Sequence, residues 1–307
     1  MIENLSPSRA KTYMQCPKRF HYESVLKLPT PETVATAKGK VVHYVLDYLF
    51  DFKKSERDIT RAVGLVDIVW DIITDQNKPL LECSQEEIGI RKKFGFYSES
   101  SVEKVILDED TKKYQTLFDK NSSREVAFLL EAKECIKGYF NMENPKVFTP
   151  YERELYVKAK IAGVSLHGII DRLDKIVGRN GEVEWVVSDY KTGKPPKESY
   201  RADAFFQLEV YALILSVVMG VTVSRLRLLY IREGSRDFIL EQVVTEKTFD
   251  RTKKKLKKVW LDIKQSFNDD KWPANKSVLC DWCHFKSVCP AFVKIEASWL
   301  DLENSSV

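Results

Sequence analysis

The sequence predicts an α/β fold, a central mixed sheet flanked by helices. Three observations carry that expectation. Residues 151–191 hold three strand-like runs with partial alternation, divided by the turn dipeptides Ala162-Gly163 and Asn180-Gly181. Long stretches with helical periodicity precede and follow them. Two further strand-like runs, VSRLRLLYIRE and DFILEQVVT, lie beyond a helix, so strands and helices alternate.

Taken in order, LSPSRAKTYMQCPKRF opens with Ser6 as an N-cap and Pro7 at the first helical position, which predicts a short helix to about Gln15. Pro29 and Pro31 mark a loop. A helix resumes near Thr36 and runs through GKVVHYVLDYLFDF, with Val42, Val45, Leu46 and Leu49 on one face and Gly39 and His43 sharing another side. Residues 55–145 read as mainly helical, an insertion or cap within a single domain spanning 1–307. After Pro145 and Pro150 comes the three-strand antiparallel meander, YERELYVKAK, GVSLHGIIDRLDKIV and EVEWVVSDYK. A helix over about 199–219 ends at Gly220, the two strands follow, and a last helix over about 246–268 leads to a cysteine-rich tail.

Composition narrows the function without deciding it. The 307 residues carry 49 Lys and Arg against 45 Asp and Glu, a net charge of +4, which permits a nucleic-acid partner without demanding one. RTKKKLKKVW, residues 251–260, is a basic helical segment suited either to a phosphate backbone or to solvent. No apolar run approaches the roughly 18 residues of a membrane span, and MIENLSPSRAK lacks the pattern of a secretion signal. A cytoplasmic protein with no membrane partner is the expectation. No GxxxxGK[ST] loop occurs, so no nucleotide-driven motor is visible.

The chemistry concentrates in HGIIDRLDKIVGRNGEVEWVVSDYKTG, residues 167–193. Asp171 lies on one arm of this hairpin; Asp189 and Lys191 lie on the other. Two carboxylates at one place repel each other unless a cation sits between them, and Mg2+ or Mn2+ prefers such oxygen ligands. Lys191, two residues past Asp189, shares its side of the strand. A plain two-residue turn at Asn180-Gly181 would set position 171 opposite 190; uniting Asp171 with Asp189 and Lys191 requires an odd loop, such as three residues, or a bulge. Gln207 and Tyr211, four apart, share a face of the following helix.

These segments together, GKVVH (39–43), HGIIDRLD (167–174), SDYKTG (188–193) and QLEVY (207–211), resemble the PD-(D/E)XK nucleases, specifically the RecB-type exonuclease branch. Each motif is weak alone; four in order are specific. The resemblance implies a restriction-endonuclease-like core in which His43, Asp171, Asp189 and the Tyr190 carbonyl hold Mg2+ or Mn2+. It also implies that Lys191 is the catalytic lysine and that Gln207 and Tyr211 stabilise the site and position DNA. Asp171 stands in IIDRLD rather than behind a proline, a small departure; Glu154 and Asp174 are flanking acids outside the implied set.

The end of the chain carries C-x2-C-x5-C-P at Cys280, Cys283 and Cys289, and Cys16 stands in MQCPKRF. Three adjacent thiols suit a soft metal and need a fourth ligand. Cys16 can supply it only if the two ends of the chain meet. This arrangement resembles iron–sulfur members of the same family, AddB-type helicase–nuclease subunits and CRISPR adaptation nucleases, and implies a structural [4Fe–4S] cluster clamping N- and C-terminal segments. Zinc, with His284 or His21 as a substitute ligand, is the rival. Cys83 and Cys135 are expected to be buried small hydrophobes.

The expected activity is a metal-dependent DNA exonuclease acting on single-stranded ends in recombination or repair, with a helicase or other repair protein supplying any unwinding. The alternatives are a CRISPR adaptation nuclease trimming DNA before integration, and a non-catalytic DNA-binding subunit of a helicase–nuclease complex.

Overall fold

The computed structural model describes residues 2–75, 82–96 and 114–293. The expected helical insertion at 55–145 and the cysteine region at 270–295 therefore lie partly outside the described residues. The chain divides into two compact units, one formed by Met1–Pro31, Lys158–His167 and Asp250–Val307, the other by Glu32–Val157 and Gly168–Phe249.

The helices are α1 (Pro7–Gln15), α2 (Val34–Leu49), α3 (Ile59–Thr74), α4 (Gln85–Lys93), α5 (Ser123–Met142), α6 (Phe206–Val218) and α7 (Glu246–Asp269). The strands are β1 (Glu152–Ile161), β2 (Val164–Val177), β3 (Val183–Lys191), β4 (Val223–Tyr230) and β5 (Ile239–Val243). They form one five-stranded mixed sheet in the order β1-β2-β3-β4-β5. The β2–β3 and β4–β5 pairs are antiparallel, whereas β3–β4 is parallel, joined through α6. This is the α/β fold the sequence predicts.

Local chemistry accounts for the elements. The Ser6 side chain accepts from the Arg9 amide and Pro7 starts α1. Thr33 and Thr36 form a reciprocal cap at the start of α2, whose Val42, Val45, Leu46 and Leu49 are buried. The β1–β2 turn has positive φ at both Ala162 (51°) and Gly163 (81°), the conformation a two-residue hairpin turn requires.

One helix differs from expectation. The stretch 199–219 is broken: a turn at Glu198–Tyr200 and a short helix Arg201–Ala204 precede α6. Phe205 and Phe206, at the break, are both buried.

In the second unit, α2, α3 and α5 share one apolar core with Tyr190, Leu229 and Ile231 of the sheet region. The described part of 55–145 is thus built into this core. Gly138 makes the closeness possible, because a Cβ there would fall 1.9 Å from the Ile231 carbonyl oxygen. Cys135 is buried as expected; Cys83 is only half-buried. Among the described residues, no helix is long and apolar enough to cross a membrane.

Candidate active site

The β2–β3 hairpin decides the site. Its rungs run from Val177↔Val183 to Arg172↔Ser188. The Gly178 amide donates to the Glu182 carbonyl at 2.8 Å, which leaves a three-residue loop, Arg179-Asn180-Gly181, with Gly181 at φ 83°. That is the odd loop the sequence required. One step beyond the last rung, the register sets Asp171 opposite Asp189.

The Asp171 carboxylate accepts from the Tyr190 amide at 3.0 Å. His43, on α2, brings Nε2 to 3.0 Å from the Tyr190 carbonyl oxygen and Nδ1 to 3.5 Å from Asp171 Oδ2. Lys191 Nζ lies 2.5 Å from Asp189 Oδ2. The two form a close, charge-assisted pair at the end of β3. On α6, Gln207 Nε2 donates to the Tyr211 hydroxyl at 3.0 Å. Gly168 lets the Tyr211 ring lie against β2, for a Cβ there would meet the ring at 2.4 Å.

Charge crowding appears in the proton affinities. Burial, then the charge of Asp189, pushes the Asp171 carboxyl up to about 6, despite His43 and the Tyr190 amide pulling the other way. Burial would lower His43, but the negative charges of Asp171, Asp189 and Glu154 outweigh it and hold the imidazole above its ordinary value. Burial likewise opposes the Lys191 charge, and Asp189 more than restores it. Burial pushes the Tyr211 phenol up to about 12.

Glu154 is the residue the sequence reading left aside. It is an exposed residue whose carboxyl is desolvated where it meets His43 and Asp171, and that desolvation with the charge of Asp171 pushes the carboxyl up to about 7. Its ligand atom, with those of His43 and Asp171, forms a group lying mutually within 4.8 Å. Glu154 has φ 45° within β1, a conformation rare for a residue with a side chain. An acid on the strand before the first motif was the available signal, but nothing in YERELY announces the left-handed residue. Asp174 is placed elsewhere: it pairs with the buried Arg172 at 2.9 Å, in a network where Arg172 also binds Glu143 at 2.6 Å and the Tyr190 hydroxyl at 3.1 Å.

The donor set fits a hard divalent cation. Adjacent ligands of an octahedral ion with 2.0–2.1 Å bonds stand about 3.0 Å apart and opposite ones about 4.2 Å. His43, Glu154 and Asp171 supply an imidazole nitrogen and two carboxylate oxygens within 4.8 Å of one another, and the Tyr190 carbonyl oxygen lies beside His43. A cavity of about 400 Å3 opens beside Glu154, lined also by Tyr44, Phe94, Tyr151, Lys93 and Arg153.

The first unit joins the two ends of the chain. The Lys18 amide donates to the Pro273 carbonyl at 3.1 Å, Asn275 to the Gln15 carbonyl at 3.2 Å, and the Tyr22 hydroxyl to the Val288 carbonyl at 3.1 Å. Cys16, Cys280, Cys283 and Cys289 line one cavity of about 30 Å3. They do not form a compact ligand group: among the described residues, only His43, Glu154 and Asp171 bring three such atoms within 4.8 Å of one another. His21 and His284 do not line that cavity; His21 instead stacks on Trp272 at 4.7 Å between ring centres.

Fold and site define an α/β protein with acids, a histidine and a lysine gathered where its central strand ends. The chain belongs to the PD-(D/E)XK nuclease superfamily, whose family model matches residues 4–290. A crystal structure of a Eubacterium rectale protein provisionally named an exonuclease is similar, with 14% identity, a TM-score of 0.47, and coverage of 99% of this chain and 94% of that one. A crystal structure of SSO0001 is similar at 16% identity and a TM-score of 0.36, covering 96% of this chain and 89% of that one. No curated protein matches.

Proposed function

We propose that this nuclease is a metal-dependent DNA exonuclease of the RecB type, acting on single-stranded ends in recombination or repair. The observation that carries the reading is the meeting of His43, Glu154 and Asp171 within 4.8 Å, beside Asp189 and Lys191. His43, Asp171, Asp189, the Tyr190 carbonyl and Glu154 would hold Mg2+ or Mn2+. Such an ion, when bound, polarises the scissile phosphate and lowers the pKa of the attacking water.

The chain's own groups do the rest. Lys191 stays protonated beside Asp189 and offers an ammonium to the charge that builds on phosphate oxygens. Gln207 fixes the Tyr211 hydroxyl, which remains a neutral donor at physiological pH and orients the DNA backbone. The cavity of about 400 Å3 that Glu154 lines has room for a nucleotide. The chain is read as one nuclease domain, 1–307, with 55–145 as its helical insertion.

The four cysteines are read as ligands of a structural [4Fe–4S] cluster. A single zinc with 2.3 Å bonds to thiolates would hold their sulfurs about 3.8 Å apart, tighter than these thiols stand. A cubane spans more space and suits four cysteines drawn from both chain ends. Lys18 lines the same cavity, where it would offset the cluster's negative charge; Arg19 and Lys286, also in its wall, are paired with Glu23 and Asp281.

The test is an anaerobic preparation incubated with end-labelled single-stranded and duplex DNA. Cleavage from an end that needs Mg2+ or Mn2+ supports the proposal. Full cleavage in EDTA, or none with either metal, overturns it. A CRISPR adaptation nuclease shares this site, and nothing in the site favours it over repair.

A further inference from the structure

We propose that the lysine face of α7 is a docking track for the phosphate backbone of single-stranded DNA, separate from the cleavage site; this rests on the nuclease reading above. The helix is sharply two-sided. Thr252, Leu256, Val259, Ile263 and Ser266 are buried, and Ser266 meets the Tyr13 hydroxyl of α1 at 2.8 Å. Lys253, Lys254, Lys257 and Lys258 are exposed on the other side.

A solvated helix face ordinarily mixes signs, since opposite charges four apart stabilise it and like charges destabilise it. Here Lys253–Lys257 and Lys254–Lys258 are like-charged pairs at that spacing, and residues 251–258 include no acid. Asp262 pairs with Lys258 at 2.9 Å, and Asp250 is the nearest acid on the other side. The repulsion is relieved when a polyanion lies along the four ammonium groups, which span about 7.5 Å of helix axis.

Charge is also divided between the two units. The unit containing this helix has 18 Lys and Arg against 10 Asp and Glu, whereas the unit containing the acidic site has 31 against 35. The net values are thus +8 and −4. Net charge therefore favours a polyanion on the unit that carries the lysine face. Lys158 and Lys160, two apart and exposed on β1, add to that positive unit.

The experiment measures binding of a fluorescent oligothymidylate in EDTA across a salt series, so that it reads the surface whether or not the protein cleaves. The Lys253→Glu/Lys254→Glu/Lys257→Glu protein should bind at least tenfold more weakly. Its slope of log affinity against log salt should be shallower by about 2, since each lost phosphate contact removes about 0.7. Lys→Gln at the same positions, which neutralises without reversing, should fall between the two and controls for folding. Unchanged affinity and slope in both variants overturn the proposal. So does wild-type protein that binds heparin or phosphatidylserine vesicles and not the oligonucleotide.

Discussion

The Asp171 carboxylate accepts the Tyr190 amide at 3.0 Å, across a hairpin whose three-residue loop sets Asp171 opposite Asp189. A loop one residue shorter would turn Asp171 onto the other side of its strand relative to Asp189. His43 meets the same residue from α2, through the Tyr190 carbonyl oxygen. Helix and hairpin are therefore both tied to the backbone of Tyr190, one through its carbonyl and one through its amide.

Lys191→Ala and Asp189→Ala should each lower DNA cleavage by about 10²–10³-fold, the usual cost of losing a preorganised electrostatic group. Circular dichroism checks that the fold survives in both: Lys191 is half-exposed at the end of β3, whereas Asp189 is buried, so Asp189→Asn, which keeps the side-chain volume, is the control there. Cleavage rates within a factor of two of wild type would mean that the pair is a structural ion pair only.

The acids also set a pH dependence. Asp171 and Glu154 have folded-state values raised to about 6 and about 7, so the folded state holds protons that the unfolded chain has released. Stability from these groups is present at low pH and is lost as pH rises through 6–7. His43, also raised, acts in the same direction. The metal-free protein should melt at a higher temperature at pH 6 than at pH 8, and saturating Mn2+ should remove or reverse that difference. Calorimetry at the two pH values checks it.

Gly168→Ala should displace the Tyr211 ring and destabilise the protein by about 1–3 kcal/mol, the usual cost of overpacking. Tyr211→Phe keeps the ring and removes only the hydroxyl held by Gln207. It should leave the melting temperature nearly unchanged while slowing cleavage. The two substitutions thus separate packing from substrate positioning.

Arg172→Leu should be the most damaging single change outside the site. It leaves Asp174 buried without its guanidinium and Glu143 with Arg227 as its remaining partner, a loss of about 3–5 kcal/mol. Chemical denaturation measures the change directly.

Anaerobically purified protein should be brown and contain about four irons and four inorganic sulfides per chain. Cys283→Ser should remove the colour and lower the melting temperature. A colourless wild type with one zinc per chain would replace the cluster with a mononuclear site.

The hairpin was the most legible part of the site, because side-chain alternation ties loop length to which residues share a face. The pairing of Gln207 with Tyr211 was legible for the equivalent helical reason. Glu154 was not, since its place depends on one left-handed residue inside β1 that composition does not signal. The break before α6 was hidden because helical periodicity continues through Phe205 and Phe206 and no proline or glycine marks the interruption. That Cys16 and the C-terminal cysteines must come together was legible as a requirement of a shared metal; contacts such as Lys18 to Pro273 bring them to one cavity without gathering them into a compact ligand group.

Calorimetric titration of the metal-free protein with Mn2+ tests the central claim most directly. Wild type should bind Mn2+ at the site, with affinity falling as pH drops from 8 to 5.5, and Asp171→Asn, Glu154→Gln and His43→Ala should each weaken that binding by tenfold or more. Three variants that bind Mn2+ as tightly as wild type would contradict the account.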